Sequence, residues 1–195
     1  MALGDILFIC GMDIRFFIDW KQQWADRNAS LPVDQMDVPF LDSNDLQTML
    51  NQLEHQPASQ GKIRKLLLTL LLSQMGRPCS SIDLESHLLF VSERSTLKEL
   101  QAYYEQLMFL QNSYPTLYQG AYKEFLPLHE QLFIYERYSP EDQFLIVLNF
   151  SARIQMLEQL AYLDIQSLLI SSSAVATINS AAFSPWEGRI YELSR

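Results

Sequence analysis

The sequence predicts an α/β segment that gives way, near residue 114, to an all-β antiparallel sandwich. Two periodicities carry this expectation. Before the boundary, apolar residues recur roughly every 3.6 positions, as on one face of a helix, with short apolar strands between. After Leu117 they fall into short runs with a period of two, separated by turn residues such as "SPED" and "SSS".

Ile6 to Cys10 reads as a buried strand, and Asp13 to Asp26 as a helix with Ile14, Phe17, Ile18 and Trp24 on its apolar side. Pro32 and the polar cluster of "NASLPVD" stop that helix. Val38 to Leu41 is a further strand, ended abruptly by Asp42, Ser43, Asn44 and Asp45. "GKIRKLLLTLLLSQMG", between Gly61 and Gly76, is a helix whose wide apolar face demands burial on most sides. The next helix opens on a Thr96–Glu99 capping box, carries Leu97, Leu100, Tyr104, Leu107 and Leu110 on one face, and ends over Asn112 to Pro115. "GAYKEFLPL", "EQLFIYERY", "QFLIVLNFS", "RIQMLEQL", "QSLLIS" and "WEGRIYEL" are the strands of the second half. "FLIVL" is apolar on both faces, as in the middle of a sandwich.

Composition narrows the function classes. Hydrophobic residues make up 48% of the 195, enough for a core and too many for a disordered chain. A net charge of −9 opposes nucleic acid and anionic membrane surfaces, whose phosphates it would repel, and suits a neutral or cationic ligand. Cys10 and Cys79 belong to no CxxC pair and read as buried thiols rather than a disulfide. The N-terminus carries Asp5 and no early basic residue, a poor signal peptide. The longest apolar run, Leu66 to Leu72, is far short of a membrane span. A cytoplasmic protein is expected.

No Gly-rich phosphate loop, H-E-x-x-H or G-x-S-x-G motif is present. His55, His87 and His129 lie far apart and suggest no metal site, so neither metal nor cofactor is expected. Phe133, Tyr135, Phe144 and Phe150, at strand spacing, suit a core better than a sugar platform. The remaining candidates are Asn44 and Asp45, where a strand opens into polar residues. On the residues alone a helix cap is favoured over the rim of a site, since Ser43, Asn44 or Asp45 would be good N-caps and polar residues must appear where a strand surfaces.

The order of segments resembles the C-terminal part of the α-amylase family of glycoside hydrolases. "DVPFLDSND" is similar to that family's seventh-strand motif, an apolar F-L-x-N-H-D, with Asn44 in place of the His and Asp45 matching the Asp. "KIRKLLLTLLLSQMGRP" resembles the helix that leads into an eighth strand beginning G-x-P, and "STLKELQAYYEQLMFLQNSYPTLYQGAYKEFLP" the last barrel helix. "EQLFIYERY…FLIVLNFS" and "PWEGRIYEL" resemble its C-terminal β-sandwich. There are departures. "LQTML" lacks the Arg that often follows the Asp, and "GRPCSSIDLES" lacks a Tyr or Gly after Pro78.

The resemblance implies a fold class of α/β partial (β/α) barrel remnant over residues 1–113, followed by the sandwich over 114–195. A complete barrel needs roughly 200 residues. It also implies that Asp45 occupies a transition-state-stabilising position, vestigial here, with Asn44 contacting substrate. The family's nucleophile and acid/base come from earlier strands than any matched here, and Asp45 alone cannot supply both. The expected function is therefore the C-terminal portion of an α-glucosidase-like hydrolase, inactive by itself. The alternative is a non-catalytic carbohydrate-binding or protein-interaction module of the same descent. Expected partners are an α-glucan or oligosaccharide, held weakly, and a second copy or an N-terminal partner that completes the barrel.

Overall fold

A computed structural model describes residues 21, 22, 26, 59–73 and 94–194. The helices are α1 (Gln60–Ser73), α2 (Arg94–Ser113) and the short α3 (Thr116–Gln119). The strands are β1 (Ala121–Glu124), β2 (Leu132–Tyr138), β3 (Gln143–Asn149), β4 (Gln155–Met156), β5 (Ile165–Ser171), β6 (Ala182–Phe183) and β7 (Gly188–Leu193). A 3-10 helix spans Glu158–Tyr162.

The strands form a five-stranded sheet in the order β1-β2-β3-β7-β5 and a two-stranded ladder of β4 with β6. Every pairing is antiparallel. β1, β2 and β3 follow one another as a meander; β7 then inserts between β3 and β5. Alternation along the strands divides the sheet's apolar residues between two faces. Phe133, Tyr135, Phe144, Ile146, Leu148 and Ile190 share a cluster with the helices. Leu132, Ile134, Leu145, Val147, Tyr191 and Leu193 pack instead with Leu157, Leu160 and Phe183, from the 3-10 segment and the small ladder. The register confirms the division: Phe133 faces Leu148 and Ile134 faces Val147 across β2 and β3. The antiparallel second half expected from the period of two is present, and Phe144 to Leu148 are fully buried on both faces. Phe133, Tyr135, Phe144 and Phe150 are core residues.

α1 fulfils the expectation of burial on most sides. From Ile63 to Ser73 only Lys65 escapes the buried class. The helix lies across β3 and β7 and is backed by α2. The helix comes close at Gly188, where an added β-carbon would stand 3.0 Å from Thr69 Oγ1 and 3.1 Å from Leu148 Cδ2. Polar side chains on this helix tie it in two directions. Thr69 Oγ1 donates to Lys65 O at 2.8 Å, which leaves the Tyr103 hydroxyl of α2 to donate to Thr69, also at 2.8 Å. Ser73 Oγ donates to Thr69 O, so the Tyr135 hydroxyl of β2 donates to Ser73, at 2.6 Å. One helix is thus bonded to α2 on one side and to the sheet on the other.

Three expectations are corrected. α2 starts at Arg94, two residues before Thr96, and Glu99 pairs with Lys65 of α1 at 3.5 Å. Thr96 instead packs on Gly61, whose lack of a side chain lets the two helices approach. The buried stripe of α2 is Leu100, Tyr103, Leu107 and Leu110, with Leu97 and Tyr104 only half-buried, because the stripe faces α1 and Tyr103 reaches Thr69. "RIQMLEQL" is two residues of strand followed by a 3-10 turn, since Leu157 and Leu160 must both turn inward to cover the sheet. The Ile6–Cys10 and Val38–Leu41 strands lie outside the described residues, as do Cys10, Cys79, His55 and His87; of the expected Asp13–Asp26 helix, residues 21, 22 and 26 are described and are helical.

Replacing Tyr103 and Leu107 together by alanine is expected to destabilise the protein by several kcal/mol, on the order of the sum of two large buried truncations. The Tyr104/Leu107 pair should cost less, because Tyr104 is partly exposed. Urea unfolding of the two double variants measures the difference.

Candidate functional site

Asn44 and Asp45 lie outside the described residues, so the structure neither brings them together nor separates them. Buried polar chemistry is concentrated instead at the seam between α1 and the strands β1 and β2. Alternation along β2 sends Arg137 to the same face as Phe133 and Tyr135. The register places Tyr122 opposite Arg137 and Glu124 opposite Tyr135.

Arg137 is 0% exposed. Its Nε donates to Ser73 O at 3.1 Å and its Nη1 to Gly120 O at 3.4 Å. Ser73 is the last residue of α1, so the guanidinium sits at the negative end of the helix dipole. The guanidinium carbon lies 5.4 Å from the Tyr122 ring centroid and 5.9 Å from that of Tyr135, within reach of both π faces. Among the described residues no carboxylate pairs with it. Burial pulls the guanidinium down to about 10, with the two tyrosines opposing, so it stays charged at neutral pH. Burial likewise pushes the Tyr135 hydroxyl up to about 12.

Three buried polar atoms of this corner have no hydrogen-bond partner: Arg137 Nη2, Tyr122 Oη and Glu124 Oε1. Burial raises the Glu124 carboxyl, against the pull of the Lys21 ammonium. Burial also lowers Lys21 to about 8. The seam therefore holds one carboxylate and a closed centre. A retaining glycosidase needs two carboxyl groups flanking the scissile bond. What this arrangement does is cap a helix and bond it to a strand.

A second network lies on the opposite face, where the small ladder meets the sheet. Glu187 and Arg189 are both almost fully buried and pair in bidentate fashion, at 2.7 Å and 3.0 Å. Arg189 also donates to Ser180 O and Tyr191 Oη, and its guanidinium carbon lies 4.1 Å from the Phe183 ring centroid. Glu187 accepts from Ser171 Oγ and from the Ser184 N–H. Asn149 adds bonds from its Nδ2 to Arg153 O and Ser184 O, and its Oδ1 accepts from Ser151. Trp186, between these partners, takes a left-handed φ of 59° that only a well-held turn tolerates. The Glu187–Arg189 pair is satisfied and structural, while the buried Trp186 Nε1 beside it has no hydrogen-bond partner among the described residues.

Sequence reasoning missed Arg137, Glu187 and Arg189; the signal that could have found them is a charged residue within or beside an otherwise apolar run, in "EQLFIYERY" and "WEGRIYEL". A buried charge must be compensated, so such a position marks a polar network. Among the described residues no group of three or more His, Cys, Asp or Glu side chains is placed to hold a metal, and no helix is long and apolar enough to cross a membrane.

No protein-family profile matches the chain. No curated protein sequence matches it. Solved structures do. A variant of the isomaltulose synthase of Erwinia rhapontici NX5, in complex with D-glucose, superposes with a TM-score of 0.56 at 14% identity. That superposition covers 74% of this chain and 41% of the synthase. The C-terminal part of the chain has the fold of α-amylase-family enzymes. The isomaltulose synthase of Klebsiella sp. LX3 is 25% identical, with a TM-score of 0.47 over 61% of this chain and 22% of that one. That of Protaminobacter rubrum is also 25% identical, with a TM-score of 0.44 over 52% and 19%. The chain thus spans less than half the length of each of these enzymes.

Glu187→Gln leaves the Arg189 cation buried without its counter-charge and is expected to cost about 3 kcal/mol or more. Arg137→Met removes the charge along with its donors and should cost only about 2 kcal/mol, for two carbonyls left unbonded. Chemical denaturation of both variants tests the order.

Proposed function

We propose that the chain is the C-terminal portion of an α-glucosidase-like glycoside hydrolase of the α-amylase family, and that it does not hydrolyse α-glucosides by itself. The observation that supports this most is the fold likeness to the Erwinia enzyme, a structure holding D-glucose. The sequence motifs of the last barrel segments and the antiparallel domain support the same reading. In such an enzyme the antiparallel sheet packs on barrel helices, and here α1 and α2 share a core with it. No residue of the chain matches the family's nucleophile or its acid/base. Polypeptide carrying those two carboxylates is the partner this reading requires.

The alternative is a non-catalytic binding or interaction module. Asn44 in the place of the family's His, and the missing Arg and Tyr, favour it. Asn44 can still donate and accept hydrogen bonds, but a carboxylate open to water gains little from a sugar hydroxyl over what water already gives. Asp45 then serves its own turn.

The purified chain is expected to give no turnover of a chromogenic α-glucoside. Activity that survives repurification and disappears in Asp45→Ala would overturn the proposal. Titration of glucose and maltose against isotope-labelled protein separates the two readings of the Asn44–Asp45 turn. Flat titrations are expected. Saturable shifts centred on these two residues at sub-millimolar sugar would establish a working sugar site.

A further inference from the structure

The loop that joins β1 to β2 is closed by a histidine used as an acceptor. His129 Nδ1 accepts the backbone N–H of Gln131 at 3.2 Å and that of Leu132 at 3.0 Å. Leu132 is the first residue of β2 and is fully buried. The His129 N–H donates to Leu126 O at 3.0 Å, and Leu126 itself holds a left-handed φ of 52°, unfavourable for a branched side chain. The outside of the same loop carries a second tie. Lys21, 1% exposed and in a helical segment more than 100 positions upstream, donates from Nζ to His129 O at 2.7 Å. One residue thus fixes the strained loop, the start of a central strand and the attachment of a distant segment.

The geometry fixes the chemical state of the ring. Two N–H donors converge on Nδ1, so its lone pair is in use and the imidazole is the neutral Nε2–H tautomer. We propose that His129 is an acid-sensitive latch, whose protonation opens the β1–β2 loop and loosens the hold on the segment that carries Lys21. The proton, taken from solvent, goes to Nδ1. There it confronts two amide hydrogens that then lose their acceptor. The new imidazolium also stands beside the Lys21 ammonium.

The charged groups that act on the ring agree. Burial lowers its pKa, Lys21 lowers it further, and Glu130 opposes them. Glu124 acts on Lys21 in turn. The sign follows. The folded ring titrates below the ordinary value of 6.5. The unfolded chain therefore binds the proton first as pH falls, and the latch's contribution, complete above 6.5, is lost on the way down through the folded value.

The test uses the whole chain, two readouts and one variant. The ring resonances of His129 are followed from about pH 8 to about pH 5, across the range in which histidine titrates. Amide exchange at Gln131 and Leu132, corrected for intrinsic rates, is measured over the same range. The exchange measurement is repeated on His129→Asn, whose Oδ1 accepts amides two and three residues on, as in an Asx turn, and carries no titratable proton. The wild-type ring should titrate below 6.5. Protection at Leu132 should fall roughly tenfold on acidification, the order expected for loss of two hydrogen bonds. In His129→Asn the protection should be retained and independent of pH. A wild-type ring that titrates at or above the ordinary value overturns the proposal. So does protection that is insensitive to pH, or an equal acid response in His129→Asn. Should that variant fail to fold, the wild-type ring and exchange data decide.

Discussion

The contact on which the structure depends is the seating of α1 on the five-stranded sheet. A helix lined from Ile63 to Leu72 by leucine and isoleucine has no polar stripe with which to face water. It is stable only where something covers each side. β3 and β7 cover one side, α2 another. Gly188 permits the approach, and Thr69 and Ser73 turn it into a fixed register by bonding Tyr103 and Tyr135. Apolar burial alone would let the helix slide along the sheet, since the hydrophobic effect has no direction. Two hydroxyl pairs at stated positions remove that freedom.

The two faces of the sheet bury an arginine each and compensate it differently. Arg189 has a carboxylate, Glu187, in bidentate contact, with two backbone carbonyls and the Tyr191 hydroxyl taking the remaining hydrogens. Arg137 has no such partner and relies on the last carbonyl of α1, on Gly120 O and on two tyrosine faces. The difference matters for specificity more than for gross stability. A buried ion pair recovers little beyond its desolvation. A guanidinium that requires the C-terminal end of one helix and the rings of two neighbouring strands at once is compatible with a single docking of that helix. Arg137 therefore specifies where α1 ends relative to β1 and β2.

Much of the antiparallel half was legible in the sequence because its signal is local. The short apolar runs "LFIY" and "FLIVL", bounded by turn residues, mark strands buried on both faces before any pairing is known. The strand order was not legible: β7 pairs with β3 across about forty intervening residues, and no local pattern encodes that. β6 was missed because two residues carry no period. Tyr104 was favoured over Tyr103 because both fit a helical stripe to within one position, and only the partner Thr69 distinguishes them. Of the candidate site, the buried charges Arg137, Glu187 and Arg189 were missed, because a charge beside an apolar run reads equally well as the solvated end of a strand. The acceptor role of His129 was not, since it depends on how a loop closes. Asn44 and Asp45 rest on the resemblance and the strand-end pattern alone.

Burial also constrains where a ligand can be met. The helix-facing side of β2, β3 and β7 is filled by Phe133, Tyr135, Ile146, Leu148 and Ile190, and the opposite side by Leu132, Ile134, Leu145, Val147 and Tyr191. An aromatic sugar platform needs a ring with one face open to water, and these central rings have none. Nor can the Glu187–Arg189 network bind a hydroxyl, since its donors and acceptors are already matched to one another. The central sheet is consequently a support. It presents a fixed surface against which α1 and α2 are held.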